Sequence, residues 1–133
     1  MSAPDDARAR IFAEIQAERA RQDAKWGQQD HDSVWEVVAR HLVRPAEELA
    51  AHYGVPTAAA AKDACERAAR GSHVAWADIL VEEVAGAIEA AVLEQHDEVS
   101  AEEVDREIVQ LAAVCVSWLE ARARRRRALA GEG

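Results

Sequence analysis

The chain is poor in residues that interrupt helices. Its 133 residues include only three Pro and six Gly, and no run alternates apolar and polar residues as a half-buried strand does. A sheet is therefore not expected. Half of the residues are apolar, and this composition together with the missing strand pattern indicates an all-α protein. The length predicts one helical domain over residues 1–133. Within it, residues 28 to 72 are expected to form a variable helical insert and residues 122 to 133 a basic, frayed tail.

Cysteine and recognisable catalytic motifs are also scarce. Cys65 and Cys115 stand alone on apolar helical faces, without a CxxC pair or zinc-ligand spacing, so we expect both to be core thiols. The five His show no HExxH or similar spacing. A Gly-rich phosphate loop, a GxSxG elbow and a Ser or Cys nucleophile with His and Asp partners are missing as well. If the protein is an enzyme, acidic residues and a metal must carry its chemistry.

Positive charge is in deficit, with a formal net charge of −9. This balance argues against a protein that binds nucleic-acid polymers. The Arg-rich run at residues 122 to 127 is a local exception, which we expect to complement the dipole of the last helix; an anionic partner is the less favoured alternative. No apolar run is long enough to span a membrane, and the acidic N-terminal segment lacks the apolar core of a signal peptide. We therefore expect a cytoplasmic protein without membrane partners.

Capping and stop residues predict where the helices begin and end. Ser100 and Glu103 form a Ser-x-x-Glu capping box, which fixes the start of the last helix. The helix before it should begin at Ser72 or Asp78 and end near residue 95. Further helices are predicted at residues 4 to 25 (stopped by Gly27), 33 to 42 (capped by Ser33), 46 to 53 (closed by Gly54) and 58 to 70 (capped by Thr57, ended by Gly71).

Two of these helices each place one carboxylate inside an apolar face. Glu83 lies in the face of residues 76 to 95, and Glu107 lies in the face of residues 104 to 119. A carboxylate in apolar surroundings is unfavourable unless it is protonated, pairs with a cation or binds a metal. Two such acids on helices expected to pack together indicate a shared cation site. A buried salt bridge to Arg or Lys, or a position at the edge of the apolar face, remains the alternative.

The first helix changes character along its length. Its apolar face at Ile11 and Ile15 continues towards the C-terminus as Glu18, Gln22 and Trp26. Such a change occurs where a helix passes from a core into a cleft, and equally where a helix end is solvated. Periodicity does not decide between the two.

Three segments of the chain resemble MazG-like proteins of phages and actinobacteria. Residues 18 to 29 (ERARQDAKWGQQ) resemble the segment ERxRQDxKWGxQ. Residues 76 to 84 (WADILVEEV) resemble WxxILxEEV, and residues 107 to 114 (EIVQLAAV) resemble ELVQVAAV. The resemblance implies an all-α nucleoside triphosphate pyrophosphohydrolase fold, assembled as a homodimer or homotetramer. It also implies cleavage of a (deoxy)nucleoside triphosphate to the monophosphate and pyrophosphate, with Mg²⁺ or possibly Mn²⁺ as the cofactor.

The metal motif of that superfamily, EExxE followed by ExxD, matches this chain only in part. The first motif falls on Glu82, Glu83 and Gly86, and the second on Glu107 and Gln110. An amide oxygen at Gln110 can still reach a metal, but Gly86 supplies no ligand and weakens the helix by about 1 kcal/mol relative to Ala. Either a nearby acid such as Glu18 or Glu89 compensates, or metal binding and activity are impaired.

The resemblance also implies roles for individual residues. Glu83 and Glu107 are expected to be metal ligands, and Glu82 a ligand or the base that orients water; these three are the expected catalytic residues. Gln110 completes the expected metal site. Trp26 either stacks on a nucleobase or is a core aromatic residue. The substrate-binding residues are expected on the first helix, with Arg19 and Lys25 near phosphates and Gln22 or Asp23 at the edge of the base. Glu18 is expected as a further substrate-binding residue. The rival interpretation is a catalytically impaired relative that serves as a nucleotide-binding or protein-interaction module.

Overall fold

Helices make up the regular structure of this chain. The computed structural model describes residues 3–35, 41–71 and 73–131. Of these residues, 77% are helical and none lies in a strand, which confirms the all-α prediction. None of the described helices is both long and apolar enough to cross a membrane. The described helices are α1 (Ala3–Trp26), α2 (Pro45–Tyr53), α3 (Ala58–Arg70), α4 (Trp76–Gln95) and α5 (Ala101–Leu129).

Two glycines end helices in the left-handed conformation that other residues rarely adopt. Gly27 has a φ of 67°, and its N–H donates to the carbonyl oxygen of Asp23 at 2.8 Å, which closes α1. Gly54 has a φ of 69° and closes α2. Both ends agree with the sequence prediction.

The helix starts are fixed by side chains that accept backbone hydrogen bonds. The N–H of Ala60 donates to Thr57 Oγ1 at 3.1 Å, and the N–H of Glu103 donates to Ser100 Oγ at 3.2 Å. The sequence predicts both caps. Each satisfies a backbone N–H that has no partner within its helix. In α4, Asp78 Oδ2 accepts from the backbone N–H three residues earlier at 2.8 Å, so α4 begins with Asp78 in its first turn.

Three sequence predictions about these segments have other outcomes. The helix predicted at residues 33 to 42 falls largely on residues outside the described part, as does the alternative start at Ser72; residues 33–35 and 41–44 are not helical. The tail predicted to be frayed from residue 122 is helical through Leu129. Its last turn carries Arg126 and Arg127, where positive charge complements the helix dipole.

Contacts within the chain define two compact units. One consists of Met1–His31 with Cys115–Gly133, and the other is Asp32–Val114. The prediction of a single domain therefore stays a prediction. In the second unit, α4 packs against both α2 and α3, and α5 contributes the buried Val104. The core of this unit consists of Val34, Leu49, Ala90, Ala91, Val92 and Val104.

The first unit buries one acidic side chain next to its apolar residues. Glu120 is only 8% exposed, and Ile11 and Val116 of the same unit are buried as well. Arg8 Nε donates to Glu120 Oε2 at 3.2 Å, and Arg8 Nη2 donates to Oε1 at 3.4 Å. The guanidinium therefore faces both carboxylate oxygens, while the Arg8 side chain itself is 61% exposed.

Several apolar side chains remain exposed on the chain. Phe12 is 54% exposed, Ile108 51% and Val109 65%. Cys65 is half-buried, whereas Cys115 is exposed. The prediction of core thiols is therefore wrong for Cys115, because its side of α5 is not covered by the described part of the chain.

The Arg8–Glu120 pair predicts an asymmetric response to mutation. Arg8→Met should lower the free energy of unfolding by about 1–3 kcal/mol, because it leaves a buried carboxylate without its donor. Glu120→Gln should have a smaller effect, because the exposed guanidinium is then solvated and the amide oxygen still accepts. Urea denaturation measures both, with Arg21→Met, which removes an exposed ion pair with Glu18, as the matched control. Equal effects of Arg8→Met and Arg21→Met would contradict the prediction.

Candidate active site

An acidic pocket lies between three helices of the second unit. From α4 it is lined by Glu82, Glu83 and Gly86, and from α5 by Glu107 and Gln110. These are all five positions that the resemblance matches to the metal motif. The start of α3 completes the lining with Ala58 and Lys62.

The α5 carboxylate of Glu107 closely approaches the backbone of α4. A Cβ atom placed on Gly86 would lie 2.9 Å from Glu107 Oε2 and 3.8 Å from its Cδ. The space that a side chain at residue 86 would occupy is therefore partly filled by this carboxylate. The sequence predicts only a missing ligand at Gly86, whereas the structure places an acid from another helix beside it.

Glu83 lies in an environment that disfavours its negative charge. The pKa of its carboxyl is raised from the ordinary value of 4.5, first by burial and then by the charges of Glu107 and Glu82. No Lys, Arg or His nitrogen of the described residues forms an ion pair with any of these three acids. The salt bridge that was the alternative to a cation site is therefore not found in this part of the chain.

Lys62 is a pocket residue that the sequence analysis missed. It lies on α3 and is the one positively charged side chain among the described residues that line the acidic pocket. Its side chain is exposed, so its charge is available to a molecule in the pocket. In the sequence it resembles any solvated Lys of an Ala-rich helix, and only the packing of α3 beside α4 reveals its position.

Glu89 does not replace the acid that is absent at Gly86. Its Oε2 accepts a hydrogen bond from the backbone N–H of Ala58 at 3.1 Å, at the first residue of α3. The carboxylate thus satisfies a free N–H at that helix start. Glu89 holds α3 on α4 and is not part of the acidic pocket lining. Glu18, the other suggested substitute, belongs to the first unit.

The predicted substrate residues of α1 form a hydrogen-bond network of their own. Arg19 donates through Nη1 to Gln22 Oε1 at 2.7 Å and through Nη2 to Asp23 Oδ1 at 2.8 Å. Arg21 donates to Glu18 Oε2 at 2.8 Å, and this arginine lowers the pKa of the Glu18 carboxyl. The charge of Arg19 is therefore already partly offset by Asp23.

The same residues divide between two open surface depressions of the first unit. Glu18, Gln22, Lys25 and Trp26 line one, and Arg19 and Asp23 line the other. Trp26 is 60% exposed, with Lys25 Nζ 4.8 Å from the centre of its ring. Trp26 is thus not a core aromatic residue of this chain, and its role in stacking stays a prediction.

The acids of the pocket are not arranged as a complete metal site. No three Asp, Glu, His or Cys side chains of the described residues converge closely enough to hold a metal ion. Comparisons of the chain with protein families, curated proteins and solved structures found no match. The resemblance to MazG-like proteins therefore depends on the three sequence segments.

The raised pKa of Glu83 predicts a particular dependence of stability on pH. A group with a raised pKa in the folded state stabilises that state at low pH, and this contribution is lost as the pH rises through the raised pKa. Without metal, Glu83→Gln should match the wild type below pH 4.5 and become progressively more stable than it above that value. Urea denaturation at several pH values measures the difference, with the exposed Glu66→Gln as control. A constant difference at all pH values would contradict the prediction.

Proposed function

We propose that this protein is a Mg²⁺-dependent nucleoside triphosphate pyrophosphohydrolase of the MazG-like type, which releases a (deoxy)nucleoside monophosphate and pyrophosphate. The supporting observation is that all five positions matched to the metal motif line one pocket. These positions come from two helices and are separated in sequence by up to 28 residues, the interval from Glu82 to Gln110. The two motif segments lie on consecutive helices, and the polar residues of both line this one pocket.

The donor set of the pocket fits a hard divalent cation. Carboxylate and amide oxygens are the ligands that Mg²⁺ and Mn²⁺ prefer. Mg²⁺ is commonly held by one or two carboxylates and the phosphates of the substrate, with water at the other positions. Glu83 and Glu107 would provide those carboxylates, and Gln110 an amide oxygen. A metal held there would offset the charge of the triphosphate and would lower the pKa of the attacking water.

The protein's own side chains have separate tasks in this proposal. Glu83 and Glu107 hold the cation, and their mutual repulsion is relieved when it binds. Glu82, on the same stretch of α4, orients the attacking water and accepts its proton. Lys62 contacts a phosphate oxygen from the α3 side of the pocket. The roles of Arg19, Gln22, Asp23, Lys25 and Trp26 in nucleoside recognition stay predictions of the resemblance.

A second function is favoured by a specific observation. The acids do not form a three-ligand set among the described residues, and Gly86 supplies no ligand. A catalytically impaired relative, which binds nucleotides or another protein without hydrolysis, fits that observation. The two functions differ in one measurable respect, the release of pyrophosphate from a nucleoside triphosphate in the presence of Mg²⁺ or Mn²⁺.

The exposed apolar residues predict a homo-oligomer, as the resemblance implies. Ile108 and Val109 of the second unit and Phe12 of the first are each more than half exposed, and self-association would remove them from water. Analytical ultracentrifugation at micromolar concentration should show a dimer or tetramer. Ile108→Glu should shift that equilibrium towards the monomer, whereas Ala101→Glu, at the exposed start of the same helix, should not. A compact wild-type monomer would contradict the prediction.

Isosteric variants of the two central acids test the proposed enzyme. Mg²⁺ or Mn²⁺ should raise the melting temperature of the wild type, because a ligand of the folded state stabilises it. Glu83→Gln and Glu107→Gln should each abolish that rise and the release of pyrophosphate, and without metal each should keep or raise stability. Glu66→Gln should behave as the wild type. Destabilisation of both variants by about 3–5 kcal/mol, with or without metal, would instead indicate a structural ion pair.

A further inference from the structure

Gly86 stands in the interior of α4, where glycine is unfavourable. It lies near the middle of the twenty residues of that helix, and it is the one glycine within the described helices. Glycine in a helix interior adds backbone entropy to the unfolded chain and weakens the helix. Its φ does not require glycine, since only Gly27, Gly54 and Gly131 have positive values among the described glycines. The reason for glycine at this position therefore lies in what surrounds it.

The surroundings of Gly86 contain one close neighbour, the carboxylate of Glu107. Apart from the adjacent residues and the nearby backbone of α4 itself, only Glu107 Oε2 and Cδ among the described residues lie within 4 Å of the position that a Cβ would take, at 2.9 and 3.8 Å. The shorter distance is closer than two such atoms can approach without a shift. Because the carboxylate is the free end of a flexible side chain, a Cβ at residue 86 would displace Glu107 and leave the backbone of α4 in place.

Displacement of Glu107 has an electrostatic consequence for Glu83. Glu83 and Gly86 are three residues apart on α4, so they share one side of the helix. Glu83 and Glu107 line the same pocket, and the charge of Glu107 is among the causes that raise the pKa of the Glu83 carboxyl. A side chain at residue 86 would therefore weaken the interaction between Glu83 and Glu107 without touching either residue chemically.

We propose that Gly86 is a positioning residue, which leaves room for the Glu107 carboxylate against α4 and so brings it beside Glu83. Position 86 then contributes space for a ligand from α5 in place of a ligand of its own. The placement of Glu107 stands on the geometry alone; its consequence for a bound metal rests on the proposed function. An acid introduced at residue 86 would compete with Glu107 for the same space.

The variant Gly86→Ala tests this inference. It should raise the melting temperature of the metal-free protein by roughly 3–6 °C, because Ala favours the helix. It should also lower the pKa of the Glu83 carboxyl towards 4.5, measured by carbon NMR of labelled Glu side chains. The affinity for Mn²⁺, measured by isothermal titration calorimetry, should fall by about 10- to 100-fold, as is usual when the support of a ligand is lost.

A second background separates positioning of Glu107 from any general effect on the helix. In Glu107→Ala, the change Gly86→Ala has no carboxylate to displace, so it should leave the pKa of Glu83 unchanged. The affinity for Mn²⁺ is compared only with Glu107 present, because Glu107→Ala removes an expected metal ligand. Equal effects of Gly86→Ala in both backgrounds would overturn the inference. So would a Gly86→Ala variant that keeps the wild-type pKa of Glu83 and the wild-type Mn²⁺ affinity.

The readouts keep this inference apart from the proposed function. If the wild type binds no Mn²⁺, the proposed function fails and the NMR measurement alone tests the positioning role. That role is supported if Gly86→Ala lowers the pKa of Glu83 in the wild-type background but not in the Glu107→Ala background. If the wild type binds Mn²⁺ and releases pyrophosphate but Gly86→Ala changes neither the pKa nor the affinity, the proposed function stands and the positioning role fails.

Discussion

The second unit depends on the burial of α4. This helix packs against both α2 and α3, and its buried positions are small or β-branched, namely Ala85, Ala90, Ala91 and Val92. Small side chains allow neighbouring helices to approach closely, so most of the helix is at least partly removed from water. Glu83 of α4 is partly desolvated as a consequence. The raised pKa of Glu83 follows from that packing first and from its charged neighbours second.

The two units of the chain differ in whether a desolvated acid has a cationic partner. In the first unit, the buried Glu120 is matched by a guanidinium that faces both of its oxygens. In the second, Glu83 and Glu107 line one pocket, and neither takes part in the ion pairs that the described Lys and Arg side chains form. Such an arrangement is unfavourable by itself and becomes favourable when a cation enters from outside. This contrast within one chain is the physical argument that the acids of the pocket bind a ligand and do not form a structural ion pair.

What could be predicted from the sequence is what depends on local chemistry. The ends of α2 and α3 follow from Gly54 and from the Thr57 cap, because each involves residues within a few positions of one another. The basic run from residue 122 lies in the helix through Leu129, since cations near a helix C-terminus complement its dipole. Helical periodicity predicts a shared site for Glu83 and Glu107, and the resemblance adds Glu82, Gly86 and Gln110 to it.

The parts that could not be predicted are contacts between distant segments. Arg8 and Glu120 are 112 positions apart, and no periodicity links them. Three further contacts depend on how the helices pack. They are the hydrogen bond of Glu89 at the start of α3, the position of Lys62 in the pocket and the approach of Glu107 to Gly86. Sequence patterns assign a residue to a face of its own helix, but they do not say which residue of another helix it meets.

The packing of the helices affects how the two departures from the metal motif, Gly86 and Gln110, are interpreted. As a sequence difference, Gly86 removes a negative charge from the site and so weakens its attraction for a cation. In the fold, the carboxylate of Glu107 from α5 lies beside Gly86 of α4, so an acid from one helix occupies the space that a side chain of the other would fill. Fewer acids also mean less repulsion between them and a triphosphate, and Mg²⁺ draws several of its ligands from the substrate phosphates and from water. A site with two facing carboxylates and one amide is therefore weaker for the free metal ion than for the metal with its nucleotide. Within the proposed function, the loss of two motif acids shifts ligation from the protein to the substrate and does not by itself abolish it.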